Sequence, residues 1–492
     1  MLASSFIIST SHSAIAAFVL HWLIVLVITA RVLLKRKPTG VALAWIVIAL
    51  SIPFGGAIAY VLVGELWLPR RRIRRYLAYK EFVADRIQRI DRDWDIKGDQ
   101  LPPIAAMLNA QTIKLLSISA IGGNDVKIIS SSQECIESIL RDIDAAESSI
   151  NMLFYIWHSA GLVAEVEAAL IRASARGVTC RLLLDGSGSK DFLRSTRPHE
   201  LRKAGIEITE VLPVGVMRNV FRRLDIRNHR KIIVIDHHTA YTGSMNMADP
   251  AFFGSLKGVG MWIDVMARVQ GPAAQVLDIV TELDRAVEFG ENPTNNHPPA
   301  RPDQPLQIYG QAPLQVVPSG PGQSPRITHD MLMTLIYNTT KKLVITTPYF
   351  IPSEAMLEGL TAAALRGVDV SIVVPLDVDS VLVRHASKSY FQDLLDVGVH
   401  IHQFTGGLLH TKTVTADDQV ALIGTVNMDK RSFWINFEIS LFAYDQAIVQ
   451  ELCALQNEYI ARSHTVDAEQ WKKRPFGRRL LENALQLLAP IL

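Results

Sequence analysis

The chain has 492 residues, more than one ordinary hydrophobic core holds, which predicts two or three units. Its formal net charge of +2 excludes a polyanion binder acting through overall charge, and its three cysteines, Cys135, Cys180 and Cys453, lack the number and spacing of a disulfide scaffold or a structural zinc site. Hydrophobic residues make up 49% of the chain, a high share for a water-soluble protein, and the excess lies at the N-terminus.

From about Ser13 to Leu34 the sequence is almost wholly apolar, enough to span a bilayer, and the run ends at Arg31, Lys35, Arg36 and Lys37. A second apolar run, from about Val41 to Val63, is interrupted by Pro53, Gly55 and Gly56 and followed by Arg70, Arg71, Arg72, Arg74 and Arg75. No Lys or Arg precedes the first run, so the expectation is two membrane-embedded helices in residues 1–65 and not a cleaved signal peptide. Two full spans would put the two basic clusters on opposite sides of the bilayer. The larger cluster and the charged segment behind it predict a cytoplasmic body, and a re-entrant or tilted hairpin would put both clusters on one side. Either cluster could hold anionic lipid head groups.

Residues 66–123 read as a charged helical connector closing at a Gly122–Gly123 turn. A first lobe, 124–292, follows. It has a helix-period stretch (Cys135, Ile136, Ile139, Leu140, Ile143), a strand Ile150–Trp157, a helix Leu162–Ala175 and a strand Thr179–Leu184. Pro293, Pro298, Pro299, Pro302 and Pro305 mark a linker, 293–306. The second lobe, 307–492, repeats the order. Met331, Leu332 and Leu335 sit in a helical stretch, followed by a strand Leu343–Thr347, a helix Glu354–Leu365 and a strand Asp369–Val374. Tyr155 and Tyr349 hold comparable places. The duplication predicts an α/β fold of two pseudo-symmetric lobes, mixed sheets flanked by helices, after an N-terminal transmembrane helical hairpin. Near the C-terminus, Trp471 through Arg474 and then Arg478 to Leu492 run from basic to apolar, which suits an interfacial helix or ordinary core packing.

One pattern is written twice. His229, Lys231 and Asp236 form H-x-K-x4-D, as do His410, Lys412 and Asp417, and Gly243 and Asn246 match Gly424 and Asn427 at the same offsets. A neutral imidazole can attack a phosphodiester, and a second, protonated imidazole can donate to the leaving oxygen and later accept a proton from the incoming hydroxyl. Two lysines supply charge for the equatorial oxygens, and Ser244, Asn246, Thr425 and Asn427 could add neutral donors to the substrate. This chemistry calls for no metal and no other cofactor. His and Lys two apart on a strand share a face, whereas Asp236, seven from His229, points to the other face, as Asp417 does relative to His410. The Asp residues therefore read as frame supports, and the carboxylates orienting the histidines must come from farther away. Asp264, in Trp262-Ile263-Asp264, and Glu438, in Asn436-Phe437-Glu438, are the candidates. His237 and His238 read as a polar turn, lacking zinc-ligand spacing. Arg218, Arg222, Arg223 and Arg227 suit either a solvated face or an anionic head-group site.

These strings resemble the two HKD motifs of the phospholipase D superfamily, and over nearly the whole chain they resemble the bacterial phospholipase D-type cardiolipin synthases of the A type. The resemblance includes Val63-Gly64-Glu65-Leu66, Phe154-Tyr155-Ile156-Trp157, the segment from Tyr241 to Met247, Thr347-Pro348-Tyr349-Phe350 and Gly407 to Lys412. It implies that His229, Lys231, Asp236, His410, Lys412 and Asp417 form the catalytic set, with Glu438 as the family's second-copy Glu; the duplication leaves the two histidines nearly equivalent as nucleophile, and the first-copy His229 is the choice taken between them. It implies a reaction in which two phosphatidylglycerol molecules give cardiolipin and glycerol through a phosphatidyl-histidine, and a place in the bacterial inner membrane. Phosphatidylglycerol, cardiolipin and the bilayer are then the expected partners, and nucleic acid is not. A hydrolytic phospholipase D, a phosphatidyltransferase to another alcohol and, more distantly, a nuclease of the same fold are the alternatives.

Overall fold

A computed structural model of the chain describes residues 2–35, 39–64, 70–213, 226–251, 254, 258–290, 307–322 and 324–486. The proline linker, as well as Arg218, Arg222 and Arg223, lies outside them. Two compact units result, an N-terminal apolar unit and a large α/β body that begins at Arg70.

In the apolar unit a helix runs Leu2–Leu34, and its Ser13–Leu34 portion is long and apolar enough to cross a membrane. The second apolar run departs from expectation. Its helix, Thr39–Ser51, has 13 residues. At 1.5 Å rise per residue it covers about 20 Å of a hydrocarbon core about 30 Å thick. The chain turns at Pro53, with Phe54 at φ 58°, and resumes as a short helix Gly55–Ala59 and a π-helical turn Tyr60–Gly64. Gly56 is required here, because a Cβ would meet the Ile48 carbonyl oxygen at 2.4 Å. Val25, Ile28 and Val32 of the long helix pack on Ala49 and Tyr60. Among the described residues there is thus one helix of spanning length packed on a broken arm.

In the body, the described residues form one continuous fifteen-stranded sheet. The first lobe supplies β1 (Ile121–Ile129), β2 (Ser149–Phe154), β3 (Thr179–Asp185), β4 (Glu207–Val211), β5 (Ile232–Ile235), β6 (Thr239–Gly243) and β7 (Met266–Gln270). The second supplies β8 (Ala312–Ser319), β9 (Lys342–Thr346), β10 (Asp369–Pro375), β11 (His400–Phe404), β12 (Thr413–Ala416), β13 (Val420–Gly424), β14 (Glu438–Ala443) and β15 (Ser463–Thr465). The order β4-β3-β2-β5-β6-β7-β1 in one lobe is repeated as β11-β10-β9-β12-β13-β14-β8 in the other, with β15 added at the outer edge. The strands β2, β3 and β4 pair in parallel through crossovers of the β-α-β kind, while β5, β6 and β7 form an antiparallel meander. Helices Leu162–Ala175 and Glu354–Leu365 fill the expected places.

The seam is β1 against β8, antiparallel, with an irregularity between Ile121 and Asn124. Its strand β1 replaces the expected Gly122–Gly123 turn. The buried Asn124 explains the difference: its Nδ2 donates to the carbonyls of Ile121, Gly122 and Ala312 across the seam, and its Oδ1 accepts from Ala273 N–H. A polar residue satisfied inside a sheet carries no apolar periodicity. In the helix Arg70–Trp94, Arg72 pairs with Glu288, and Arg75 Nη1 donates to the carbonyls of Val287 and Glu288 at 3.0 and 2.8 Å. Both therefore engage the C-terminus of the Pro272–Phe289 helix, where cations suit the helix dipole.

Candidate active site

His229 and His410 do not lie within strands. Each sits in the extended segment that leads into β5 or β12, and each is held by the other lobe. His229 N–H donates to Phe437 carbonyl and Phe437 N–H to Arg227 carbonyl, at 2.8 and 2.9 Å. His410 N–H donates to Ile263 carbonyl at 2.8 Å, while Leu408–Leu409 pair in parallel with Trp262–Ile263. Phe437 precedes Glu438 and Ile263 precedes Asp264, so this backbone pairing brings each histidine to the opposite lobe's carboxylate. His229 Nδ1 lies 2.9 and 3.1 Å from the two Glu438 oxygens, and His410 Nδ1 lies 2.7 Å from Asp264 Oδ1. An ionised carboxylate only accepts, so the proton belongs on Nδ1 and the Nε2 lone pair is left for chemistry.

The two carboxylates are held in turn. Thr425 hydroxyl and Asn436 Nδ2 donate to Glu438 at 2.5 and 3.2 Å, and Ser244 hydroxyl donates to Asp264 at 2.7 Å. Ser244 and Thr425, expected to offer donors to the substrate, hold the carboxylates in this structure. Both are fully buried, their hydroxyls are committed to the carboxylates, and neither lines the cavity. Asn246 and Asn427 do line it. Lys231 and Lys412 are buried behind the histidines, each Nζ donating to its own histidine's carbonyl, at 2.8 and 2.5 Å.

Asp236 and Asp417 stand apart from this cluster, which corrects their inclusion in the catalytic set. Each occupies a left-handed turn after its strand, φ 49° and 51°, a conformation that Asp tolerates. Asp236 accepts from the N–H groups of Glu147, Ser148 and Ser149 at 2.9, 2.7 and 2.9 Å, and Asp417 from those of Thr340, Lys341 and Lys342 at 2.6, 2.7 and 2.9 Å. Both carboxylates pin the start of the neighbouring antiparallel strand, β2 for Asp236 and β9 for Asp417. Of the tempting pair beside Asp236, His237 Nδ1 is taken up by Asp278 at 2.7 Å and His238 Nδ1 by Thr239 at 2.9 Å.

A cavity of about 580 Å³ is lined by both histidines and by Tyr155, Trp262, Tyr349, Arg227 and Arg431. Tyr155 sets its ring edge on His229 with centroids 5.1 Å apart, and Trp262 tilts over His410 at 4.5 Å. Burial pushes the His229 imidazolium down to about 4, with Glu438 opposing, and also lowers that of His410. Burial likewise pulls Lys231 down to about 8 and Lys412 to about 7, against the pull of Glu438 and Asp264. Asp429, also in the wall, is pushed up to about 6 by burial. Sequence reasoning missed Asp429, Asn436, Trp262 and Arg431. Asn436 and Trp262 were detectable, since each stands two residues before its carboxylate.

Two copies of one lobe, each giving a histidine to a shared cavity with a buried lysine behind it, define a phospholipase D-like enzyme. Residues 139–264 and 332–458 match the family model described as cardiolipin synthase, PLD-like domain, and residues 22–65 match a phospholipase D-nuclease N-terminal model. Cardiolipin synthase A of Yersinia pseudotuberculosis serotype O:1b (strain IP 31758) is 43% identical over 472 residues, covering 96% of this chain and 97% of its own, and the Yersinia pestis protein of the same name gives the same figures. Among solved structures, phosphatidylserine synthase from Haemophilus influenzae Rd KW20 shares the fold, with a TM-score of 0.57 at 16% identity over 75% of this chain and 95% of that one. The chain belongs to the cardiolipin synthase family of phospholipase D-like proteins, and it is a membrane-associated phosphatidyltransferase.

Proposed function

We propose that the protein joins two phosphatidylglycerol molecules into cardiolipin and glycerol. The observation that supports this reading best is the shared cavity, in which each lobe's histidine is oriented by the other lobe's carboxylate. His229 Nε2 attacks the phosphorus of one phosphatidylglycerol. The N–P bond forms as the bond to the glycerol oxygen breaks, and His410 gives that oxygen its proton. The entering phosphodiester's negative charge favours the imidazolium that His410 needs for this step. In the return step the terminal hydroxyl of the second lipid's glycerol attacks, its proton passes to His410, and the N–P bond breaks. One phosphodiester replaces another, so no nucleotide is consumed. Lys231 and Lys412 stabilise the charge on the phosphoryl oxygens, with Asn246 and Asn427 as neutral donors. Water at about 55 M competes with the acceptor, so the partly enclosed wall of Tyr155, Trp262 and Tyr349 serves to exclude it.

We read the N-terminal unit as a multi-pass or re-entrant anchor in the bacterial inner membrane, with the body on the cytoplasmic side, because of the basic cluster that begins at Arg70. Incubating the purified full chain with phosphatidylglycerol alone is the test. Cardiolipin and glycerol in equal amounts are expected, and phosphatidate as the sole lipid product would overturn the reading. Cysteine labelling from either side of spheroplast membranes tests sidedness.

A further inference from the structure

The C-terminal basic-to-apolar stretch divides in two. Trp471 and Arg474 are folded into the body: Trp471 stacks on Phe391 with centroids 5.4 Å apart, and the Arg474 guanidinium lies 3.9 Å over the Trp471 ring. The helix that follows, Phe476–Gln486, packs on the helix Val381–Ser389 through its polar side. Glu482 is buried there and pairs with Arg474 and Arg478, while Lys388 and Arg384 lie in the same field and Asp377 pairs with Arg384. The helix is amphipathic, yet apart from Leu485, which packs on the body's core, its large apolar side chains are left bare. Phe476, Leu480 and Leu481, on one stripe at helical spacing, are 77%, 58% and 49% exposed. Its partner helix repeats this at its first turn, where Val381 and Leu382 are 60% and 45% exposed. Ser380 and Val383, on either side of that pair, line the reaction cavity.

We propose that these two helices form a docking face for an anionic bilayer surface, which brings lipid head groups to the cavity rim. Bare apolar side chains over a cation-rich base suit the boundary between acyl chains and anionic head groups. An aqueous partner of the same charge pattern would leave the stripe in water. The same helix turn contributes to the docking face and to the cavity wall, so a lipid at the face is one helix turn from the site. The proposal takes from the function above only that the substrates are anionic lipids, and it adds a contact formed by the catalytic body itself.

The test uses the full chain in phosphatidylglycerol-containing vesicles, with Cys453→Ser and a bimane label on Leu480→Cys or Leu382→Cys. Doxyl-lipid quenching at both positions is expected, against little at Leu365→Cys, which is exposed at the end of the Glu354–Leu365 helix. Leu382→Glu with Leu480→Glu should raise KM for bilayer phosphatidylglycerol about tenfold, the scale set by burying two half-exposed leucines. Turnover of saturating, water-soluble short-chain phosphatidylglycerol should not change. Quenching no greater than at Leu365→Cys overturns the proposal. So does cross-linking between labelled copies in lipid-free detergent, which would assign the face to a second copy. Quenching with phosphatidate as the sole product would leave the docking face standing and overturn the reaction instead.

Discussion

The two half-sites use the same chemical groups in different surroundings. At His229 the orienting carboxylate is Glu438, gripped by Thr425 and Asn436, and the neighbouring ring is Tyr155, edge-on. At His410 it is the shorter Asp264, gripped by Ser244, and the neighbouring ring is Trp262, tilted over the imidazole. Asn436 and Trp262 occupy equivalent positions, as do Asp429 and Ala248, and Arg230 and Thr411. Arg230 is buried, pairs with Asp284 of its own lobe and ties that lobe to the second through the carbonyls of Glu438 and Ser319, whereas Thr411 reaches the Ile263 carbonyl. Duplication supplied two copies of each catalytic group. The proposed reaction, however, needs one nucleophile and one acid, and the divergent walls make the two half-sites unequal. An extra donor on Glu438 weakens its pull on the His229 proton, which suits an imidazole that must stay neutral to attack.

The largest effect that sharpens this comparison comes from the histidines. His229→Ala and His410→Ala should each reduce synthesis at least about ten-thousand-fold, as removal of a nucleophile or its acid-base partner does elsewhere. A lipid with a good leaving group, such as p-nitrophenol, separates the two. His410→Ala should still give a burst and a trapped phosphatidyl-enzyme, and His229→Ala should give neither. The opposite result would exchange the roles.

The crossed carboxylates come next. Glu438→Gln should lower turnover about 10²- to 10⁴-fold and abolish the burst with the activated lipid, because it disturbs the other lobe's His229. Asp264→Asn should lower turnover similarly and spare the burst. If each carboxylate variant instead matched the histidine variant of its own lobe, the crossed pairing would be wrong.

The pH profile carries a smaller effect. His229 acts neutral, with its imidazolium lowered to about 4, so kcat/KM should rise only through that region. Lys412 acts charged, with its ammonium lowered to about 7, so kcat/KM should fall as pH rises through 7 to 8. A flat profile up to pH 10 would show that the lysine keeps its proton in the free enzyme.

The smallest effect on catalysis is expected at the turns. Asp236→Asn and Asp417→Asn should leave turnover of the folded enzyme within about twofold, since neither side chain reaches the cavity. Each should cost about 1–3 kcal/mol of stability by weakening charge-assisted hydrogen bonds to three amides, read from thermal unfolding in detergent. A loss of turnover with stability intact would return these residues to the catalytic set.

The duplicated β-α-β order was legible because β2, β3, β9 and β10 are short and rich in apolar residues and their helices end at the same Arg-Gly-Val. The odd spacing from His229 to Asp236 set the aspartates apart from the histidines, although the histidines precede their strands and do not lie in them. Other elements left no such trace. β1 and β8 bridge the lobes with buried Asn124 and Gln315, whose side chains are satisfied by distant backbone and side-chain groups. The second apolar run had the composition of a membrane helix, but Pro53 and Gly56 shortened it. Ser244 and Thr425 were singled out as donors to substrate, and the structure sets their hydroxyls on the two carboxylates, since a hydroxyl's target depends on what faces it.

By itself the sequence determined the two lobes, the paired His and Lys, and a long apolar helix at the N-terminus, because repetition and hydropathy are properties of one strand of text. Which carboxylate serves which histidine was decided only by the tertiary structure. Glu438 and His229 are 209 residues apart. Their meeting depends on a backbone pairing across the seam that no local pattern encodes. The bare apolar stripe of Phe476, Leu480 and Leu481 was settled there too. Composition marked it as amphipathic, but only packing on the Val381–Ser389 helix showed which side stayed in the open.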